Sequence, residues 1–455
     1  MKSVLYVVSD IHLGGEPGEE ASPGFQICPQ RNQVALADFI RKLPISSENS
    51  DVHLVLAGDI VDFLAEKEFA AFTAIPDKAL TKLKHIVRHS EPVWKALTDF
   101  VDNGNALTLM LGNHDIEMSL PDSRRFLMDL IGKGRVSFIY DNEAFTLGPV
   151  LIEHGNRYDG WNAVAHGALR RARSRLSRGL DVENFPVMPG SRLVVDVMNP
   201  LKRDYSFIDL LKPENAGSLP ILASLGAGGI RDVWKAYKAY RQQAAVDFDE
   251  EFEPQEETYI AEIPSTETDL YKMAQSIAAG GEAEEISLMD LSGWRGEIGD
   301  TIRKLRRKGL HRVFSSEATA KLHQQTFKIG QEDATYLNPA RAAAERGFKL
   351  IVYGHTHLTK RVNLDKATYF NTGTWADLMR VPPGVWRKEK DLATATLNSF
   401  VDDLEADNVG HRRRFVPTYA RIVLDDGQIV QDETNVYFAN NHDPVSDEGL
   451  ESRLI

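Results

Sequence analysis

Cysteine is nearly absent from this chain of 455 residues, because Cys28 is the single one. One thiol excludes an intramolecular disulfide and a thiolate-rich metal site, and we expect this thiol to be inert. The chain also has no excess of positive charge, since 66 Asp and Glu outnumber 53 Lys and Arg and the formal net charge is −13 at pH 7. That balance argues against a generic nucleic-acid coat protein, although a local basic groove could still bind phosphates.

Long hydrophobic runs are missing as well. The opening run in "MKSVLYVVSD" is too short for the usual organisation of a signal peptide. No stretch approaches the roughly 20 apolar residues that cross a bilayer. The nearest, "AGSLPILASLGAGGI" (216–230), is interrupted by Pro220 and several glycines, which favours a loop or helix over a lipid-facing lid. The sequence therefore predicts no transmembrane segment and a cytoplasmic location.

The first third of the chain alternates two kinds of pattern. Short apolar runs closed by Gly or Asp predict buried strands at 3–9, 53–57 and 106–111. Between them, apolar residues spaced at three and four predict helices at 30–43 and 77–104, with a break or kink at Pro92. Strand–helix–strand succession predicts an α/β layered fold. The length exceeds that of one typical domain, so we expect a large core with an inserted unit.

Acidic residues, histidines and an asparagine follow the ends of the predicted strands. Ligands of open α/β sheets collect outside the carboxyl ends of the strands, so these residues can converge from distant parts of the chain. Five such clusters in one chain are hard to attribute to composition. In order they are "SDIHLGG" with Asp10 and His12, "AGDIVDF" with Asp59 and Asp62, "LGNHD" with Asn113, His114 and Asp115, "IEHGNRYD" with His154, and "GHTH" with His355 and His357.

This ordered set resembles the signature of the calcineurin-like metallophosphoesterase superfamily, D-x-H, G-D-x-x-D, G-N-H-D/E, H-G and G-H-x-H. The resemblance covers residues 1–160 and about 345–380, and it implies a sandwich of two packed β-sheets flanked by helices. It also implies two divalent metal ions, for which we expect Mn²⁺, with Fe or Zn as alternatives. The implied ligands are Asp10, His12, Asp59 and His357 for one ion, and Asp59, Asn113, His154 and His355 for the other.

The implied reaction is hydrolysis of a phosphodiester or pyrophosphate bond by a hydroxide that bridges the two metals. His114 would bind the substrate phosphate and act as the general acid that protonates the leaving oxygen. Asp115 beside it could orient the imidazole or only cap the following turn. Asp62 could brace a metal-binding histidine or only form loop hydrogen bonds.

The branch of the superfamily is less clear from the motifs. Phe63 stands where the Ser/Thr protein phosphatases carry an arginine, and "HGN" replaces their "HGG", which argues against a protein phosphatase. The inserted segment before "GHTH" resembles the layout of the UDP-2,3-diacylglucosamine pyrophosphatase branch. That branch typically has Arg in place of His114 and a much shorter lid. The implied substrate is a small or lipid-linked nucleotide, and the alternatives are a nuclease or a partner-regulated phosphoesterase subunit.

The insertion sets the predicted domain organisation. We predict a first part of the metallophosphoesterase core, a mostly helical cap, a second part of the core and a flexible tail, at 1–164, 165–340, 341–440 and 441–455 respectively. The cap could be a substrate lid or a surface that binds another protein.

Several residues near the start of the insertion are candidates for substrate contacts. Arg157 and Tyr158 follow His154 directly, and we expect them to bind substrate together with Asn113 and His114. Two basic runs, at 169–178 and 303–312, flank an acidic stretch at 246–262. Such runs fit either a solvated surface or an electrostatic funnel for a polyanionic substrate.

Overall fold

The fold is that of a computed structural model, which describes residues 2–16, 24–182, 184–202, 206–212, 311, 314, 315 and 317–454. The apolar segment at 216–230, the acidic stretch at 246–262 and the basic run at 303–312, apart from His311, lie outside these residues.

The described residues form two main sheets, one small strand pair and helices on both sides. The strands are β1 Lys2–Val8, β2 Ser50–Ala57, β3 Ala106–Met110, β4 Arg135–Ile139, β5 Phe145–Leu147, β6 Val150–Ile152, β7 Leu211–Lys212, β8 Leu350–Tyr353, β9 Thr359–Asn363, β10 Thr368–Thr372, β11 Met379–Arg380, β12 Thr418–Asp425, β13 Gln428–Ile429 and β14 Asn435–Phe438.

The α-helices are α1 Gln30–Lys42, α2 Pro76–His89, α3 Glu91–Asp102, α4 Pro121–Ile131, α5 His166–Leu176, α6 Pro189–Leu193, α7 Asn199–Lys202, α8 Glu317–Thr326, α9 Ala334–Glu345, α10 Lys390–Glu405 and α11 Asp447–Leu454. A π-helical turn, Val194–Met198, joins α6 to α7. Short 3₁₀ turns include Phe63–Ala65, Ile116–Ser119, Asn156–Tyr158, Pro383–Trp386, Gly410–Arg412 and Gln431–Glu433.

The first sheet contains the three strands predicted from the start of the chain. Its order is β13-β12-β1-β2-β3-β4, with β14 paired to β12. Strands β1 to β4 are parallel, whereas β12 runs antiparallel to β1. The helical pattern at 77–104 divides at Ser90 into α2 and α3, and Pro92 lies in the first turn of α3, where a missing N–H is tolerated.

The second sheet has the order β5-β6-β8-β10-β9. Its central strands β6, β8 and β10 are parallel, and β5 and β9 are antiparallel neighbours at its two edges. Strands β5 and β6 form an antiparallel hairpin with Gly148 and Pro149 between them. In this sheet β6 lies beside β8, so the segments before and after the insertion meet here.

Strand alternation explains why both sheets are buried on two faces. On β1, Val4 and Val8 face a core covered by α1 to α4, whereas Leu5 and Val7 face the other sheet. The inter-sheet core also takes residues from β6, β8 and β10, and α9 packs on the outer face of the second sheet. The predicted fold class, two packed sheets flanked by helices, is confirmed.

The inserted segment shares a hydrophobic core with residues that follow the last motif. Strand β7 pairs in parallel with β11, with Leu211 opposite Met379. Phe207 and Leu211 are buried in one cluster with Phe400 of α10. The predicted boundaries therefore do not separate two independent units, because part of the predicted second core region packs with the cap.

The end of the chain differs from the predicted flexible tail. Helix α11 lies at 447–454, and its Leu450 and Leu454 are buried against the inter-sheet core. The helix has only one buried apolar residue per turn, and its other residues are polar, so the sequence gives little sign of an apolar face. Among the described residues, no helix is long and apolar enough to cross a membrane.

Candidate metal centre

The predicted metal ligands lie at the carboxyl ends of the strands, in an unusual backbone conformation. Asp10, His12, Asp59, His355 and His357 all have positive φ, between 50° and 70°. Non-glycine residues adopt this left-handed region uncommonly, and such strain concentrates at functional sites. Backbone bonds hold the first two loops together, including those from the amides of residues 10, 11 and 12 to the carbonyls of residues 58 and 59.

One group of ligand atoms comes from Asp10, His12 and His357, whose atoms lie within 4.8 Å of one another. The Nε2 atoms of His12 and His357 are 3.0 Å apart, and His357 Nε2 lies 3.4 Å from Asp10 Oδ1. All three residues are buried. Two facing imidazole nitrogens beside a carboxylate are the donor set of a divalent transition ion.

The second group consists of Asp59, His154 and His355. Asp59 Oδ2 lies 3.2 Å from His154 Nε2 and 3.8 Å from His12 Nε2, so one carboxylate oxygen faces both groups. His154 Nδ1 donates to the carbonyl of Ala57 at 2.8 Å. That bond turns the other ring nitrogen, Nε2, toward the group. His154 Nε2 is buried there and makes no hydrogen bond of good geometry in the described part of the chain.

Asn113 supplies a further oxygen at the end of β3. Its Nδ2 lies 3.5 Å from Asn162 Oδ1, and its Oδ1 is a buried acceptor without a hydrogen-bond partner in the described part of the chain. A buried amide oxygen without a donor is costly unless another electron acceptor, such as a cation, faces it. The residues present therefore fit a pair of divalent ions.

The site combines buried carboxylates with imidazoles. Burial, together with the neighbouring Asp59, raises the pKa of Asp10 to about 6. Burial also opposes the charged form of Asp59, but His154 and His114 hold its pKa well below the usual range. In turn, the Asp59 carboxylate raises the pKa of His154 to about 9 against the effect of burial. These opposite shifts arise because carboxylates and imidazoles are buried side by side in the site.

Glycines allow the strand ends to approach each other. A Cβ on Gly112 would overlap the Asp59 carboxylate. A Cβ on Gly354 would lie 2.6 Å from Asp10 Oδ2 and would overlap the Ser9 hydroxyl, which itself donates to Asp10. Any larger residue at either position would displace a predicted ligand.

His114 lies beside the two groups, and its partner is Asp62. Asp62 Oδ1 lies 3.2 Å from His114 Nδ1, and the His114 amide donates to Asp59 Oδ1 at 2.8 Å. Burial opposes ionisation of Asp62, but His114 lowers its pKa to about 2. The acceptor for His114 Nδ1 is thus a carboxylate that stays ionised.

Asp115, for which the sequence left open an orienting role or a cap of the following turn, binds backbone amides. Its two carboxylate oxygens accept the backbone amides of Gly112 and Ile60, each at 2.7 Å. These bonds fix the loop that carries Asn113 and His114. Asp115 was a reasonable candidate because it adjoins His114 in sequence, but neighbouring side chains in an irregular loop need not point the same way.

Sequence reasoning missed Asp159. Its Oδ2 accepts from His355 Nε2 at 3.0 Å and from Asn162 Nδ2 at 2.7 Å, while Oδ1 accepts the Trp161 amide. Asp159 and Asn162 therefore connect His355 to Asn113 from outside the second group. The only signal in the sequence was an acid five residues after His154, which has no recognisable motif.

Arg157 and Tyr158, predicted to contact substrate, both bind Glu153. Arg157 Nη1 lies 3.0 Å from Glu153 Oε1, and the Tyr158 hydroxyl donates to Oε2 at 2.6 Å. Tyr158 also packs beside Tyr353 in the core outside the second sheet. The described contacts of both side chains are thus internal to the fold.

The basic run on α5 is divided between the surface and the fold. Arg173 donates to the carbonyl of Tyr140 and lies over its ring, whereas Arg170, Arg171, Arg175 and Arg178 are exposed. Closer to the candidate metal centre, Lys212 of β7 is buried. Burial is the main cause that lowers the pKa of His357, and the positive charge of Lys212 is the second. The insertion thus brings a cation close to the first group.

Comparison with known proteins bears on the first part of the chain. Residues 4–196 match the family model for calcineurin-like phosphoesterases. No curated protein matches the chain. Among solved structures, a protein from Staphylococcus aureus named as a 5′-nucleotidase and bound to α-ketoglutarate has 11% identity and a TM-score of 0.29. The alignment covers 100% of this chain and 58% of that protein, and a likeness this weak establishes neither fold nor activity.

Proposed function

We propose that the chain contains a calcineurin-like phosphoesterase core, which its motifs and the match over residues 4–196 support, and that this core hydrolyses a phosphodiester or pyrophosphate bond in a small or lipid-linked nucleotide. The observation that carries the proposal is the position of Asp59 Oδ2, 3.2 Å from His154 Nε2 and 3.8 Å from His12 Nε2. A carboxylate oxygen shared by two groups of ligand atoms suits two divalent ions held side by side.

The ligand roles follow from the two groups. Asp10, His12 and His357 would hold one ion, Asn113, His154 and His355 the other, and Asp59 both. When bound, such ions neutralise the oxygens of a phosphate ester and lower the pKa of water. The mixture of imidazole nitrogen with carboxylate and amide oxygen suits Mn²⁺, with Fe or Zn as alternatives.

The proton for the leaving oxygen would come from His114. Asp62 accepts from Nδ1, which leaves Nε2 as the nitrogen that hands over the proton. Because Asp62 is ionised, it stabilises the imidazolium and fixes the ring orientation. The His114 amide is anchored on Asp59 Oδ1, so the general acid keeps its position relative to the bridging carboxylate.

The substrate class is supported by charge. The chain carries a net charge of −13, which disfavours a long polyanion across its surface. Lys212 adds one buried positive charge near His357, from the segment inserted between the two halves of the core. That arrangement suits a compact substrate with a second phosphate or a similar anionic group.

An activity panel with Mn²⁺ tests the proposal. Bis-p-nitrophenyl phosphate, a UDP-linked lipid and single-stranded DNA would be compared on the wild-type protein and on Asp59→Asn as the metal-deficient control. We expect metal-dependent hydrolysis of the first two substrates and little of the DNA. Preferential cleavage of DNA would favour the nuclease alternative, and no Mn²⁺-dependent hydrolysis of any substrate would refute the proposal.

A further inference from the structure

A separate group of metal-binding side chains lies outside the candidate metal centre. Ligand atoms of Glu16, Glu66 and His85 lie within 4.8 Å of one another. His85 Nδ1 is 2.9 Å from Glu66 Oε2, and Glu66 Oε1 accepts the Gly15 amide at 2.9 Å. The three residues come from three separate segments, namely the loop after His12, the turn after Asp62 and helix α2.

His89 lies beside His85 at the edge of this group. It follows His85 by one helical turn on α2, so the two imidazoles share a face of the helix, with ring centroids 4.1 Å apart. Its Nδ1 is buried and has no hydrogen-bond partner in the described part of the chain. Burial, together with the nearby His85, lowers the pKa of His89, which keeps this ring in the neutral form that binds metals.

An ion pair alone does not account for the group. Glu66 is buried and Glu16 is half-buried, and the nearby cations are His85, when protonated, and Lys82. Lys82 interacts first with Glu117 and only then with Glu66, so these cations do not balance all of the carboxylates. Burial raises the pKa of Glu66, and Glu16 contributes in the same direction. A divalent cation would neutralise both carboxylates and also give His89 Nδ1 a partner.

We propose that Glu16, Glu66, His85 and His89 bind a third divalent transition ion, Zn²⁺ in the first instance, at a site separate from the phosphoesterase centre. Two oxygens and two imidazole nitrogens form a common zinc donor set. Zinc–ligand bonds of about 2.0–2.2 Å in a tetrahedron place neighbouring ligand atoms about 3.4 Å apart. Among the first three residues, His85 Nδ1 and Glu66 Oε2 lie 2.9 Å apart and no pair of ligand atoms is more than 4.8 Å apart, which is compatible with that value.

The site would act on the position of the catalytic loops. Gly15 follows the loop that carries Asp10 and His12, and Glu66 follows the loop that carries Asp59 and Asp62. A metal ion between Glu16, Glu66 and α2 would hold these loops together on a helix of the first core. Its role is structural, because none of its ligands belongs to the two groups of the phosphoesterase centre.

Zinc content distinguishes this site from the phosphoesterase centre. Proteins would be loaded with Zn²⁺, dialysed, and measured by inductively coupled plasma mass spectrometry. In His12→Ala/Asp59→Asn/His154→Ala, where both groups of the phosphoesterase centre lose an imidazole and the shared carboxylate, we expect about one ion per chain to remain. Adding His85→Ala and His89→Ala should remove that ion, whereas His411→Ala, an exposed histidine 3.3 Å from Asp403, should not. Loss of all zinc from His12→Ala/Asp59→Asn/His154→Ala would overturn the third site without touching the proposed function.

A conservative variant guards against misfolding. Glu66→Gln keeps an oxygen for the Gly15 amide but removes the charge. In the same His12→Ala/Asp59→Asn/His154→Ala background, it should weaken Zn²⁺ affinity at least about tenfold and reduce the rise in melting temperature that Zn²⁺ produces. The tetrahedral absorption bands of Co²⁺ in this background should also fade. Unchanged affinity and an unchanged Co²⁺ spectrum in Glu66→Gln would overturn the assignment.

Discussion

Asp62 Oδ1 lies 3.2 Å from Nδ1 of His114, although 51 residues separate the two in sequence. The carboxylate fixes the orientation of the ring through Nδ1, and it stays charged because its pKa lies near 2. Under the proposed function, Nε2 would hand the proton to the leaving oxygen. Asp115 is the residue that follows His114. Its two carboxylate oxygens accept hydrogen bonds from backbone amides instead. Under the proposed function the two acids would have separable roles, one chemical for Asp62 and one structural for Asp115.

Removing the general acid should slow turnover without removing metal. We expect His114→Ala to lower turnover about 10²–10⁴-fold while metal content stays near that of the wild type. Asp62→Asn should lower turnover less. In both variants the loss should be larger for alkyl esters, whose leaving groups need a proton, than for nitrophenyl esters. Steady-state kinetics on both ester types, with metal analysis, measure this. Equal losses on the two ester types would leave His114 as a phosphate-binding residue only.

Asp115→Asn is the matched comparison. It keeps the size of the side chain but replaces one of the two oxygens that accept the amides of Gly112 and Ile60. We expect the free energy of unfolding to fall by about 1–3 kcal/mol, because a buried N–H loses its acceptor. The ratio of rates on nitrophenyl and alkyl esters should be unchanged. A ratio that shifts as in Asp62→Asn would restore a catalytic role for Asp115.

The bridging carboxylate should be the most sensitive position for metal binding. Asp59→Asn removes the charge of the oxygen that faces both His12 and His154. We expect activity to fall by several orders of magnitude and the content of both ions to decrease, because each ion loses a ligand. Metal analysis after dialysis and activity at increasing Mn²⁺ measure this. Wild-type turnover and metal content in Asp59→Asn would refute the dinuclear site.

Asp159 should control metal affinity through His355. Asp159→Ala removes the acceptor for His355 Nε2, 3.0 Å away, and also a partner of Asn162. Losing such an outer partner typically weakens metal binding about 10–100-fold, and excess Mn²⁺ should restore most of the turnover. Asp159→Asn, which keeps an acceptor oxygen, should fall between Ala and the wild type. Asp51→Ala, which only breaks an ion pair with Arg135, is the control. A defect that excess Mn²⁺ leaves unchanged would argue against this role.

The sequence predicted the elements whose signals are local. Strands β1 to β3 and the polar residues after them were predicted from short apolar runs that end in Gly or Asp. A strand that is buried on both faces is apolar along its length, and a sharp turn after it favours Gly or Asp. The partner of His114, the link from Asp159 to His355 and the shared core of β7, β11 and α10 depend on which distant segments meet. Helix α11 was missed because two leucines in a polar segment give too weak a periodicity.

Lys212 should affect capture of an anionic substrate. Its buried charge lies near His357, on a strand held by β11 and not by the main sheets. We expect Lys212→Met to raise KM for a pyrophosphate substrate and to make KM less dependent on salt, with little change on bis-p-nitrophenyl phosphate. Lys212→Arg should preserve much of the wild-type behaviour. Equal effects of Lys212→Met on both substrates would indicate a structural role in the cap.

Glu117 should make the stability of the protein depend on pH. It is buried, its Oε1 accepts the Thr73 amide, and burial raises its pKa from 4.5 to about 7. Between these two values the folded protein holds a proton that the unfolded chain has released, so the free energy of unfolding falls as pH rises.

Glu117→Gln keeps the shape of the side chain and an oxygen that accepts the Thr73 amide, but it cannot ionise. Its free energy of unfolding therefore does not fall with pH for this reason. The variant should therefore match the wild type near pH 4.5 and become more stable than it by up to about 3 kcal/mol above pH 7, at 1.36 kcal/mol per pKa unit. Urea unfolding of both proteins at pH 5, 6, 7 and 8 measures the difference. A difference that does not grow with pH would mean that Glu117 is ionised in the folded protein and that the nearby Lys82 compensates its charge.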